Sequence, residues 1–172
     1  MRTIITETTA FKFNELTEEG QEKAIEGLWD INVDYEWWDF TYEDAENIGL
    51  KIEGFDIDRG AYCEGKFIGD ALECAEKIVK EHGETCGTYA DARAYLKERA
   101  DIEQHAVIDE WGQFDLKTDD KLDALTNEFL KSLLEDYRIQ LRENYDYYTG
   151  REAVIETIDA NGYEFTREGK LI

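Results

Sequence analysis

A chain of 172 residues with 42 acids against 19 Lys and Arg, and a formal net charge of −23, is long enough to bury one proper core. Its charge disfavours direct contact with DNA, RNA or an anionic membrane. Hydrophobic residues at 42% and aromatics at 13% exclude a disordered chain. The acids run along the whole sequence rather than gathering in a tail, so four readings compete: a mimic of nucleic acid, a ligand for some other basic protein surface, adaptation to high salt, or solubility. Eleven Lys residues weaken the high-salt reading. B-DNA carries one charge per roughly 1.7 Å of axis, so a net charge of this size corresponds to roughly 39 Å of duplex, about the length of a folded domain of this size.

The opening TIITETTAFKF alternates β-branched and aromatic residues and predicts a strand. In NELTEEGQEKAIEGLWDI, Thr17 is the expected N-cap of a first helix. Glu18 and Glu19 favour its positive end, and Ala24, Ile25, Leu28 and Trp29 share one face. A second helix is predicted over Tyr35 to Ile48 with Gly49 as its C-cap. LKIEGFDID, RG and AYCEGKFIG read as an antiparallel hairpin central to a small sheet. Ala71, Cys74, Ala75, Ile78 and Val79 have helical spacing from Asp70 to His82, and Gly83 closes that helix. Thr88 with Asp91 starts another, through YADARAYLKERADIEQHAVI. Thr118 precedes a long helix with Leu122, Leu125, Phe129, Leu133, Tyr137 and Leu141 on one stripe. Thr149 and Glu152 match a capping box for a short helix ended by Asn161-Gly162, and YEFTREGKLI reads as a short hairpin or strand and tail. The fold class is therefore α+β, mainly helical with a small antiparallel sheet. The pattern reads as a single domain, 1–172, in which 1–85 would form an α+β core and 86–148 a helical lobe, the C-terminal helix and strand returning to the sheet.

The most charged aromatic stretch is DYEWWDFTYEDAE, residues 34 to 46, which contains no base. On a helix its residues sort by angle: Trp38, Thr41, Tyr42, Ala45 and Ile48 on a core face, Glu36, Asp39, Glu43 and Glu46 on a solvent face, and Trp37, Phe40 and Asp44 between them. An ordinary amphipathic helix explains this pattern. Aromatics beside carboxylates also suit the arginines of a partner. The candidate partner-binding residues are Glu36, Trp37, Asp39, Phe40, Glu43, Asp44 and Glu46.

Other constellations carry less. Asp56 and Asp58, with Glu64-Gly-Lys66 on the next strand, match the D…ExK arrangement of metal-dependent nucleases, but Glu168-Gly-Lys170 repeats the tripeptide and the acidity opposes a nucleic-acid substrate. An EF-hand loop starting at Asp56 would need Gly and Glu where Ala61 and Phe67 stand. Cys63, Cys74, His82 and Cys86 lack zinc-ligand spacing, and the three cysteines read as buried free thiols. His105, with Asp101 and Asp109 one turn either side, reads as a solvated helix face. Tyr145, Tyr147 and Tyr148 fit a core or an interface equally. The odd cysteine count, with no secretory signal or long apolar run, points to a reducing cytoplasm. No cofactor or metal site is expected.

The run from FKFNELTEEG to FDIDRG, together with GDALECAEKIVKEHGE, resembles a family of small acidic bacteriophage and prophage proteins of unassigned function. KFNEL followed by DINVDYEWWD is its most specific part. The resemblance supplies no catalytic or binding residues. It implies a context of anti-defence proteins, among them anti-CRISPR and anti-restriction inhibitors that imitate DNA. The resulting expectation is a non-enzymatic inhibitor in the bacterial host cytoplasm. Its expected partner is a basic nucleic-acid-binding host protein or complex, whose channel it occludes without touching nucleic acid or membrane. The alternatives are the nuclease-like hairpin enzyme and an antitoxin-like binder of one basic partner protein.

Overall fold

The computed structural model describes residues 2, 9–108 and 110–172 and divides the chain into two compact units, one of residues 1–37 with 143–172, the other of residues 38–142. By this division residues 86–142 fall in the same unit as the hairpin.

In the first unit, the described part of the predicted opening strand is β1 (Phe11–Lys12), and residues 3–8 lie outside the described residues. Strand β1 pairs antiparallel with β4 (Glu164–Phe165), Phe11 facing Phe165 and Lys12 facing Glu164. Lys12 fastens the pairing, its Nζ 3.1 Å from the Glu164 carboxylate and donating to the Gly162 carbonyl at 2.7 Å. A 3₁₀ turn at Phe13–Glu15 leads into α1 (Glu18–Gly27), where the Thr17 hydroxyl accepts from the Gly20 amide as expected. Helix α6 (Arg151–Asn161) ends at Gly162 in the left-handed conformation. The predicted capping box is absent: the N-cap is Gly150, and Thr149 donates its hydroxyl to the Tyr145 carbonyl of the preceding helix. The core joins Phe13, Leu16 and Ala24 to Val154, Ile158 and Phe165. The C-terminal turn lies so close to α1 that a Cβ on Gly169, whose φ is +84°, would overlap the Gly20 carbonyl oxygen.

The second unit holds α2 (Asp39–Asn47), β2 (Leu50–Asp56), β3 (Tyr62–Phe67), α3 (Ala71–Glu81), α4 (Gly87–Gln104) and α5 (Leu116–Tyr148) up to Arg142. The hairpin forms as predicted, Leu50 facing Phe67 and Asp56 facing Tyr62, with an irregularity between Ile52 and Gly54. It is not central to a larger sheet, however: among the described residues β2–β3 and β1–β4 are separate two-stranded sheets. Ala71, Cys74, Ala75 and Ile78 of α3 are buried as their spacing implied, against Leu50, Ile52, Tyr95, Phe129 and Leu133. Tyr95 and Phe129 stack with centroids 4.4 Å apart.

Capping chemistry moves several predicted boundaries. Asp115, not Thr118, caps α5 by accepting the Thr118 amide at 3.0 Å. Thr88 lies inside the first turn of α4 and meets His82 Nδ1 at 2.7 Å, while Asp91 accepts the Ser132 hydroxyl. The C-cap of α3 is His82 rather than Gly83. Helix α4 stops at Gln104 and does not reach Ile108.

Candidate partner-binding surface

The stretch 34–46 is not one helix. Helix α2 begins at Asp39, and the division between units falls between Trp37 and Trp38. Neighbouring indoles thus pack within different units: Trp37 packs on Tyr145 with centroids 5.6 Å apart, and Trp38 meets Phe55 edge to face at the same distance. Trp37 is only 7% exposed, so the indole expected between the core and solvent faces is buried. Glu36, in the same unit, is exposed.

Within α2 the angular sorting holds. Thr41, Ala45 and the following Ile48 are buried, Trp38 and Tyr42 are half-buried, and Asp39, Glu43 and Glu46 are exposed. Residues four and seven positions apart lie on one stripe. Phe40, flanking that stripe, is 79% exposed. Among the described residues no Lys or Arg pairs with Asp39, Glu43 or Glu46, whereas Glu19, Glu22, Glu53, Glu103, Glu135 and Glu164 each have a cationic partner. Asp44 belongs to the scaffold: its carboxylate accepts the Tyr137 hydroxyl at 2.7 Å and lies 3.7 Å from His82 Nε2. Burial, with Asp44 alongside, pushes the Tyr137 phenol far above its ordinary range.

The hairpin residues have structural partners. Lys66 pairs with Glu53, and this pairing holds the Glu53 carboxyl below the usual range. Asp56 accepts the Asp58 amide at 2.7 Å and shapes the turn. No group of three His, Cys, Asp or Glu side chains that could hold a metal ion occurs among the described residues. The three cysteines differ in setting. Cys74 is buried and Cys63 half-buried, with burial pushing their thiols up to about 12 and about 11, while Cys86, expected to be buried, is exposed beside the first turn of α4. His105 is exposed at the C-cap of α4, its Nδ1 2.8 Å from the Asp101 carbonyl oxygen, and Asp109 lies outside the described residues. Of the tyrosine cluster, Tyr145 packs, Tyr147 is exposed, and the Tyr148 carbonyl accepts from Asn32.

Sequence reasoning missed the segment between α4 and α5. Val107 and Ile108, read as the last turn of a helix, lie in a loop closed by a bridge between Ile108 and Phe114 and by the Asp115 amide donating to the Val107 carbonyl at 3.0 Å. The signal was Trp111-Gly112: Gly112 has φ +81°, a position where a helix cannot continue. Beside this loop an open groove of about 560 Å³ is lined by Lys97, Asp101, Ile102, His105, Thr118 and Lys121.

No family model, no curated protein and no solved structure matches this chain. No helix among the described residues is long and apolar enough to cross a membrane.

Proposed function

We propose that this is a non-enzymatic phage or mobile-element protein that inhibits a nucleic-acid-binding host defence complex, of CRISPR or restriction type, by occupying its basic channel in place of DNA. The observation that carries the reading is the stripe of Asp39, Glu43 and Glu46, which has no cationic partner among the described residues and is flanked by exposed Phe40. Seven residues of helix rise about 10.5 Å, and one DNA strand places about three phosphates along that distance. Three carboxylates over the same rise give a comparable linear charge density. Carboxylates would pair with Arg and Lys that otherwise hold phosphates, and Phe40 would add short-range packing. Acidity is shared by both units: 26 acids against 13 bases in 38–142, and 16 against 6 in the remainder.

The test is a pull-down from host lysate with and without competing duplex DNA, followed by titration of the captured complex across salt concentrations. The expected result is capture that DNA displaces and that weakens steeply with salt. A ternary complex with DNA, or affinity indifferent to salt, would overturn the reading.

A further inference from the structure

Four of the large exposed hydrophobic residues of the second unit fall within ten positions, in the α4–α5 loop and at the first residue of α5: Val107 at 63%, Ile108 at 57%, Trp111 at 78% and Leu116 at 82%. Concentrated apolar exposure on an otherwise charged surface marks a contact site, and Trp is the residue most enriched at binding hot spots. The Ile108–Phe114 bridge and the Asp115-to-Val107 hydrogen bond tie the ends of the loop together, so less ordering entropy would be lost on binding. Its flanks set the chemistry of the occupant. Residues 101–123 hold eight acids (Asp101, Glu103, Asp109, Glu110, Asp115, Asp119, Asp120 and Asp123) against Lys117 and Lys121.

From this combination we propose that the α4–α5 loop is a docking element for a basic protein surface with an apolar pocket at its centre and Arg or Lys at its rim. Trp111 and Ile108 fill the pocket, and the flanking carboxylates meet the rim. A second copy of the chain is the poorer occupant, because residues 38–142 alone carry twice as many acids as bases and two copies repel. An anionic lipid surface is opposed by the same charge. The proposal rests on the proposed function for the basic character of the partner, but it assigns the contact to a different element and a different force.

The experiment titrates the full chain with two synthetic peptides of equal length and charge, an amphipathic Leu/Arg helix and a Ser/Arg control. Sedimentation of the protein alone and binding to phosphatidylcholine vesicles are measured alongside. The Leu/Arg peptide should bind about tenfold tighter or more, and Trp111→Ala or Ile108→Ser should erase that margin while leaving Ser/Arg binding unchanged. Both sites are exposed, and an unaltered melting curve establishes that each variant is folded. Combined Asp39→Lys, Glu43→Lys and Glu46→Lys should weaken both peptides yet keep the margin. Equal binding of the two peptides, or a margin that survives both loop variants, overturns the proposal. So does self-association or vesicle binding that Trp111→Ala abolishes, which would assign the loop to a second copy or to lipid. A margin that depends on Trp111, found together with a ternary complex in the DNA competition, would leave the loop standing and remove the mimicry.

Discussion

Helix α2 and the α4–α5 loop belong to the same unit and expose opposite chemistry. Helix α2 presents three carboxylates from a regular element whose other face is core, with one exposed aromatic. The loop, with Leu116 at the start of α5, presents four apolar side chains and takes most of its charge from its flanks. Long-range attraction suits the first, since charges act over a Debye length of about 8–10 Å at moderate salt. Contact-range desolvation suits the second. Salt should therefore separate them: in the proposed binding, α2 would govern encounter and the loop residence.

The largest effect is expected from reversing the charge of the α2 stripe. Asp39→Lys with Glu43→Lys and Glu46→Lys should weaken binding to the proposed basic partner about 100-fold at low salt and flatten its salt dependence, mostly through a slower association rate in stopped-flow measurements. Next, Trp111→Ala should cost about 2 kcal/mol, or about 30-fold in affinity, with the salt dependence unchanged and the loss in the dissociation rate. If both variants alter the same rate constant, the proposed separation of roles fails.

Two smaller effects concern scaffold rather than surface. Tyr137→Phe removes the hydrogen bond to Asp44 and should lower stability by about 1.5 kcal/mol in urea unfolding without changing affinity. A change in affinity instead would return Asp44 to the docking surface. Asp136 provides the smallest effect. Burial and neighbouring Asp91 raise its carboxyl above the ordinary range, so the folded chain holds that proton more tightly than the unfolded chain does. Its favourable contribution is complete below the ordinary carboxylate range and is lost as pH rises through the raised value. Asp136→Asn should therefore stabilise the protein at neutral pH by less than about 1 kcal/mol. The difference should close on acidification through the carboxylate range, as read by melting temperature.

Elements governed by local rules were legible in the sequence. Thr17 caps α1 because its hydroxyl reaches an amide three residues on, and α3 buries Ala71, Cys74, Ala75 and Ile78 because their spacing fixes one face. Errors arose where a second partner competed. Thr149 matched a capping box, yet its hydroxyl closes the end of α5. Residues 35–38 continue the amphipathic pattern of α2, but Trp37 is taken up by Tyr145 before the helix starts. With no proline in the chain, the only mark of the end of α4 was Gly112, eight residues past Gln104, and Val107 and Ile108 passed for its final turn. Of the candidate site, the sequence identified the carboxylates of α2 correctly as solvent-facing, because angle alone decides that. It could not tell Trp37 from Phe40, because which aromatic is covered depends on contacts distant along the chain.

The distribution of sulfur makes one half of this protein chemically observable without the other. Cys63, Cys74 and Cys86 all lie within residues 38–142, in half-buried, buried and exposed settings. Alkylation requires an accessible thiolate, so at neutral pH a thiol reagent should modify Cys86 first, Cys63 more slowly, and Cys74 only when the surrounding helices part. Mass spectrometry of the labelled chain would thus time the opening of that unit at graded depths, and a ligand seated on it should slow the last of the three labels.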